Sequence, residues 1–418
     1  MKSYHNTERG IGITFDDIVL LGGARTPFGD LGGSLARLSP TDLGIVASRG
    51  ALEKTGTAPG EIDQAIVANI GQASYDAYFV ARHIGLYAGL PMGVPELQVQ
   101  RICASGIETI VTGAEQIMLG KADTVLCCGA ESMSLAPTAS FGNRMGYHLG
   151  QVVFKDMLWE ALDDTAVGFS MGQTGENVAE KYGITRAETD AFALSSQDRA
   201  AKAQKRGFFD PEIVEVQSAT FIAEGLQPRT IRVGKKGSVI SKDEHIRPTT
   251  AEGLAGLPTS FRKDGVQTAG NSAGIVDGGS AVIISSISKA KGRTPITRIL
   301  AAASCGVDPK YMGIGPVPSI KLLLELTGLT VDDIGLVEIN EAFAAQVIAS
   351  ERLLGLDHEK VNINGGAVAL GHPLAATGTR LVLTVARSLQ ERGLRYGIAS
   401  ACIGGGQGTA MLVENLAM

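Results

Sequence analysis

The chain has 418 residues, 44% of them apolar and only 19% charged, so it folds around a large core and intrinsic disorder is excluded. Its 37 Lys and Arg against 43 Asp and Glu leave a net charge of −6, which speaks against a nucleic-acid binder. No uncharged apolar run reaches the ~18 residues of a bilayer span, and the five cysteines form no C-x-x-C pair, so neither a disulfide framework nor a zinc ribbon is expected.

In chain order, residues 1–16 read as a polar extension without the apolar stretch of a secretory signal or the acid-poor character of a transit peptide. A reducing, cytoplasmic setting is the expectation. A first strand is predicted at 18–21, a short apolar run at 66–70 and a helical segment around 78–87. Ile107, Ile110, Val111, Ala114, Ile117 and Met118 fall at helical spacing, which predicts a helix over 105–119, followed by a buried strand at 124–128. From 131 to 265 charge becomes denser and apolar runs become scarce, so an inserted, mainly helical and loop-rich region is expected, with 159–167 helical. Strand and helix alternate again from 280 onward: a strand at 280–285, helices near 319–326 and 342–353, a helix opened by Gly371-His372-Pro373, and a strand at 396–401. Such alternation predicts an α/β fold. The two ends look like duplicated units, each placing a chemically able residue at a helix start. The expected organisation is an N-terminal half over 17–130 plus 266–290, an inserted loop domain over 131–265 and a C-terminal half over 291–418.

Several residues carry chemistry by type and position. Cys103 lies just ahead of a helix, where unpaired amides and the positive end of the dipole favour a thiolate; Ala104, Ser105 and Gly106 beside it leave room for a substrate carbonyl. It reads equally as a small buried cysteine at a tight turn. His372, in a Gly-rich turn with Pro373 suited to the first helical position, is a base for that thiol, or a structural histidine. Cys402 opens Cys402-Ile403-Gly404-Gly405-Gly406-Gln407-Gly408, a stretch that suits either an oxyanion hole or a tight hairpin. Asn340, after the run 334–339, holds a water or a carbonyl oxygen, or caps a helix. Gly168-Phe169-Ser170-Met171-Gly172 matches the nucleophile elbow of serine hydrolases, but the preceding stretch is acidic rather than a strand. Lys202, Lys205, Arg206, Arg232, Lys235 and Lys236 either meet phosphates or form a solvated face.

Together these segments resemble the thiolase family, the acetyl-CoA acetyltransferases and 3-ketoacyl-CoA thiolases. The resemblance runs from Ile18 to Glu414 and includes Ala24-Arg25-Thr26-Pro27-Phe28-Gly29, Cys103-Ala104-Ser105-Gly106, Thr268-Ala269-Gly270-Asn271 and Gly313-Ile314-Gly315-Pro316-Val317-Pro318. The runs starting at Asn340 (NEAFA), Gly365 (GGAVALGHP) and Cys402 (CIGGGQG) weigh most. It implies a thiolase-like α/β fold of two duplicated α-β-α-β-α layered halves, with an inserted loop domain that embraces coenzyme A. It also implies a ping-pong acyltransferase that makes or cleaves the carbon–carbon bond of 3-ketoacyl-CoA. Cys103 would be the nucleophile, His372 its activator and Cys402 the acid/base at the α-carbon. Asn340 with His372, through a water, would form one oxyanion site, and the amides of Cys103 and Gly404 the other. Met171, Phe261, Ala342 and Phe343 would wall the pantetheine tunnel and Arg247 would meet the nucleotide end. Coenzyme A would be a co-substrate, with no tightly bound cofactor, no metal, and no membrane or nucleic-acid partner; a homodimer or homotetramer is expected.

Three positions depart from the family pattern: Gln100 where Asn is common, Ala273 where a hydroxyl is expected beside the pantetheine, and Ser170 where acetoacetyl-specific members often carry His. The rival readings are a non-catalytic acyl-CoA or lipid carrier on the same fold, an acyl-carrier-protein condensing enzyme, in which a second histidine would normally replace Cys402, and a serine hydrolase using Ser170. Chain-length preference and the direction of use are not legible in these residues.

Overall fold

Strand pairing in the two ends of the chain follows the same plan twice. The computed structural model describes residues 4–7, 10–234, 237–290 and 292–417. Its main elements are β1 (Gly10–Thr14), β2 (Ile18–Arg25), α1 (Pro40–Thr55), β3 (Gln64–Ala68), β4 (Glu96–Val99), α2 (Ser105–Met118), β5 (Thr124–Glu131), α3 (Met171–Lys181), α4 (Arg186–Lys205), β6 (Val276–Ser286), β7 (Thr297–Gly306), α5 (Pro316–Thr327), β8 (Ile334–Ile339), α6 (Ala344–Leu354), α7 (Leu374–Arg392), β9 (Tyr396–Ile403) and β10 (Gln407–Asn415). In the N-terminal half the order is β2-β6-β5-β3-β4; in the C-terminal half it is β7-β10-β9-β8. Corresponding pairs have the same sense. β2–β6 and β7–β10 are antiparallel, as are β5–β6 and β9–β10, while β3–β5 and β8–β9 are parallel. Even the edge is echoed: β4 runs parallel to β3, and Val361 makes an isolated parallel bridge to Val337. A short antiparallel pairing of Thr297 and Arg298 with Leu20 and Val19 joins the halves. The expected α/β fold with duplicated halves is therefore borne out.

The central layer consists of α2 and α7, whose residues Ile107, Ile110, Ala114, Leu381, Val385 and Leu389 share one apolar core with strand residues of both halves. The helices touch where side chains vanish. A Cβ on Gly106 or on Gly378 would run into the backbone of the other helix, and one on Gly129 of β5 would strike the carbonyl of Ala375. This contact revises the reading of the small residues after Cys103. Gly106 gives room to α7, not to a substrate.

The extension before residue 17 is not a mere polar tail. β1 pairs with β7, and Ile13 and Phe15 are buried in the shared core, following the alternation of a half-buried strand. Strand β7 itself escapes sequence reading because its Leu300 to Ala303 run is rich in alanine, a weak strand former. In the inserted region α3 and α4 are long, but helix within 159–167 is confined to the end of Met157–Glu160, and the rest holds short antiparallel strand pairs such as Val216–Gln217 with Val239–Ile240, which encloses the hairpin of Ala219–Phe221 and Arg229–Ile231. Among the described residues no helix is long and apolar enough to cross a membrane, and no cluster of His, Cys, Asp and Glu is arranged to hold a metal ion.

Candidate active site

Cys103 stands in a single 3-10 turn, Ile102–Ala104, between edge strand β4 and the central helix α2. The turn is strained and stitched. Ile102, a β-branched residue, has φ +43°, and the Ser105 hydroxyl accepts from the amide of Arg101 at 2.7 Å while donating to the Ile102 carbonyl at 2.7 Å. The Cys103 thiol lies against Met133 and Leu374, with Ile70, Ile102 and Leu158 packed around them. Its own amide and that of Gly404 donate toward the sulfur, but burial outweighs them and pushes the thiol up to about 11. The helix start thus does not yield the lowered thiol expected from position alone, because the apolar surroundings disfavour the anion more than two N–H groups favour it.

His372 sits at the equivalent place in the other half, immediately before α7. Gly371 turns the chain at φ +91°, where a Cβ would collide with Val276. Pro373 occupies the capping position, one residue short of the first helical position that its ring geometry suggested. The imidazole Nδ1 lies 2.6 Å from the Thr377 hydroxyl, and Nε2 lies 3.3 Å from the Asn340 amide nitrogen. With the Asn340 amide donating to it, Nε2 carries the lone pair and Nδ1 the proton. Burial, and then the neighbouring Arg380, push the imidazole down to about 3, so it is neutral and free to accept a proton.

Three loops from distant parts of the sequence lock together around this point. Ala273 donates to the Ala342 carbonyl at 3.0 Å, the amide of Ala344 to the Asn271 carbonyl at 2.9 Å, and the amide of His372 to the Gly274 carbonyl at 2.9 Å. Buried Glu341 completes the clamp by accepting from Ser196 at 2.7 Å, Asn362 at 2.9 Å and the Val368 amide at 3.0 Å. Asn340 is no helix cap: Phe343 holds the position before α6, and the Asn340 amide bonds to Ser400 in β9. Among the described residues, its Oδ1 is buried without a partner.

Cys103 and His372 face one cavity of about 160 Å³, together with Met133, Trp159, Leu162, Ser170, Met171, Gly172, Phe261, Ser272, Ala273, Gly274, Ile275, Met312, Ala342, Phe343 and Leu374. The predicted tunnel residues Met171, Phe261, Ala342 and Phe343 are all in this wall. Cys402 is not in the lining. It is fully buried behind Met312, Ala342 and Phe343, close enough to Cys103 that the neighbouring sulfur, after burial, helps push its thiol well above the usual range. Gly404 to Gly406 form the β9–β10 hairpin turn, so the hairpin and amide-donor readings hold together. Arg247 lies outside the cavity, exposed in a second, outer chamber of about 500 Å³ that shares Phe261, Ser272, Ala273, Gly274 and Ile275 with the inner one. At that junction the Ser272 hydroxyl is buried and, among the described residues, without a partner; the sequence places Ser272 one position before Ala273 but does not say which way it points.

The rival site dissolves. Ser170 caps α3, its hydroxyl accepting from the amide of Gln173 while the Gln173 side chain accepts from the Ser170 amide at 2.8 Å. Gln100 is exposed at the end of β4. In the basic group Lys202 pairs with Asp198, and Arg206 with Glu391 and Asn364, as on a solvated face; Lys235 and Lys236 lie outside the described residues.

Comparison with known proteins identifies the family. The profile of the thiolase N-terminal domain matches residues 18–288 and that of the thiolase C-terminal domain residues 293–415. The mitochondrial 3-ketoacyl-CoA thiolase of Bos taurus is 44% identical over 404 residues, covering 96% of this chain and 98% of the relative. The acetyl-CoA acetyltransferase of Cupriavidus necator is 41% identical over 404 residues, 95% of this chain and 99% of that one. Among solved structures, human mitochondrial 3-ketoacyl-CoA thiolase in complex with CoA superposes with a TM-score of 0.90 at 42% identity, covering 97% of this chain and 98% of that one. Relatives named for mitochondria and relatives from bacteria both match, so kinship assigns no compartment. With both domain profiles in order along the chain and near-complete overlap with these relatives, the chain belongs to the thiolase family.

Proposed function

We propose that this acyl-CoA C-acyltransferase works through Cys103 as nucleophile, His372 as the base that activates it, and Cys402 as the acid/base at the α-carbon. The observation that carries the reading is that the sulfur of Cys103 and the imidazole of His372 face one apolar cavity, while two backbone N–H groups aim at that sulfur. In the cleavage direction the Cys103 proton passes to His372 Nε2 as the sulfur attacks the ketone carbon of a 3-ketoacyl-CoA. The C2–C3 bond then breaks, leaving an acyl group on Cys103 as a thioester and acetyl-CoA as an enolate. The Cys402 thiol protonates that enolate carbon. Free coenzyme A then gives its thiol proton to the Cys402 thiolate and attacks the acyl-enzyme, and as acyl-CoA leaves, His372 returns its proton to the Cys103 sulfur, so that both thiols and the neutral imidazole are restored. Condensation is the reverse. Covalent capture divides a hard step into two easier ones, and the enolate is stabilised by aimed donors in a water-poor site.

The orphan Oδ1 of Asn340, beside His372, suits an ordered water, and Asn340, His372 and that water would form one oxyanion site; the amides of Cys103 and Gly404 would form the other. Coenzyme A enters from the outer chamber, with Arg247 at its nucleotide end. Its pantetheine arm passes the unpaired Ser272 hydroxyl, which takes over the role the sequence had left vacant at Ala273. The protein acts as a homo-oligomer: edge strand β4 exposes Leu97, and Tyr75, Tyr78 and Phe79 are exposed as well.

Mass spectrometry of the protein mixed with acetoacetyl-CoA tests the assignment. Wild type gains an acetyl group on Cys103, Cys103→Ala gains none and loses thiolysis, and Cys402→Ala still acylates from acetyl-CoA while losing carbon–carbon chemistry. Full turnover by Cys103→Ala would end the assignment.

A further inference from the structure

Glu131, the last residue of β5, is 1% exposed, and among the described residues no cation pairs with it. Burial raises its carboxyl to about 7. Isolated carboxylates are rarely kept in such places, because desolvation costs several kcal/mol unless hydrogen bonds offset it. Here four donors converge on the two oxygens. One oxygen takes the Asn69 side chain at 2.9 Å and the Gly71 amide at 2.8 Å; the other takes the amides of Ile70 and Ala375, both at 3.2 Å. Asn69 is itself fixed by donating to the Ala130 carbonyl at 2.9 Å and accepting from the Gln72 amide at 3.0 Å.

The donors come from two places that, among the described residues, share no other hydrogen bond. The 69–71 turn follows β3 in the N-terminal half. Ala375 is the second residue of α7 in the C-terminal half, three residues after His372, and its amide is one of the unpaired donors at a helix start. Ile70 and Leu374, the residues next to these anchored amides, both pack in the apolar cluster that contains Cys103. The Glu131 charge also reaches the cysteine, adding to the forces that hold its thiol high.

We propose that Glu131 is a positioning residue for acyl transfer: its carboxylate ties the 69–71 turn of one half to the start of α7 in the other, and so holds Ile70 and Leu374 against Cys103 at the height of His372. This inference rests on the roles proposed above for Cys103 and His372. Glutamine in its place is the same size but turns one of the two acceptor oxygens into an NH₂ group facing two N–H donors. The walls of the reacting thiol then shift, while the pantetheine channel, built from residues 261, 272–275 and 342–343, is untouched.

Glu131→Gln should therefore fold, with kcat for thiolysis of acetoacetyl-CoA falling roughly ten- to hundredfold, the range seen when a supporting hydrogen-bond partner is removed. The KM for coenzyme A should stay within about twofold, since the fault lies at the thiol and not in the channel. The pH at which iodoacetamide alkylation of Cys103 reaches half its limiting rate should fall, because a nearby negative charge is gone. A purely structural part would lower the melting temperature and leave kcat of the folded variant in place, since loss of the charge alone moves the midpoint either way. If Glu131→Gln does not fold, Asn69→Ala, which spares the three backbone donors, should lower kcat several-fold at unchanged KM. Unchanged kcat in whichever variant folds, or a raised KM at unchanged kcat, overturns the proposal. Failure of the wild type to acylate Cys103 would instead sink the mechanism on which it rests.

Discussion

Cys103 and His372 are both neutral in the free protein, which constrains the nucleophile and base roles proposed for them. The sulfur is pushed up to about 11 and the imidazole down to about 3, so no thiolate–imidazolium pair stands ready as in a cysteine held near charges. On the mechanism proposed above, the proton therefore moves as the sulfur attacks. Iodoacetamide labelling of Cys103, followed by peptide mass, should thus keep rising beyond pH 9 where an ordinary thiol has levelled; a plateau near pH 7 would contradict the burial argument. The sequence points to these two residues, but the helix start alone suggests the opposite sign of the thiol's shift. Chain position reveals a helix start, whereas the apolar wall of Ile70, Met133, Leu158 and Leu374 is assembled from segments far apart and has no local signature. The same holds for Ser272, whose value lies in being buried and unpaired at a junction of two chambers.

At the scale of elements, the helices were legible and their contact was not. The spacing of Ile107, Ile110, Ala114 and Ile117 marks α2, and Leu381, Val382, Val385 and Leu389 mark α7. Nothing in either run says that Gly106 and Gly378 meet. Alanine at Gly378 should gain about 1 kcal/mol of helix propensity and lose more than that, since overpacking costs about 1–3 kcal/mol and the obstacle here is backbone that cannot turn aside. Denaturant titration should show a lowered midpoint for Gly378→Ala, beside no loss for Gly60→Ala, whose added Cβ meets nothing within 4 Å. Equal midpoints would mean the helices can part without cost. Short or alanine-rich strands, β4 and β7, were missed for the opposite reason: their burial comes from neighbours in the sheet and leaves no strong periodicity in the chain.

Across the whole molecule the duplicated plan was visible only as two helix starts bearing reactive residues; the matched strand orders, with the same senses of pairing, belong to topology that no single segment encodes. The exposed Leu97 on the last strand of the N-terminal half, with Tyr75, Tyr78 and Phe79, is the surface expected to be covered by a second copy. Light scattering across a dilution series should give a mass at least twice 43.5 kDa, and Leu97→Lys should shift it toward that of one chain; a wild type that stays monomeric removes the proposal. The seam between the halves has a consequence in symmetry. Cys103 and His372 occupy corresponding places in two halves of one strand plan, so a chain with perfect internal symmetry would own either two thiols with no imidazole to take a proton or two imidazoles with no thiol to activate. On the roles proposed for this pair, the unlikeness of the halves at these two places is what gives the fold a reaction to perform.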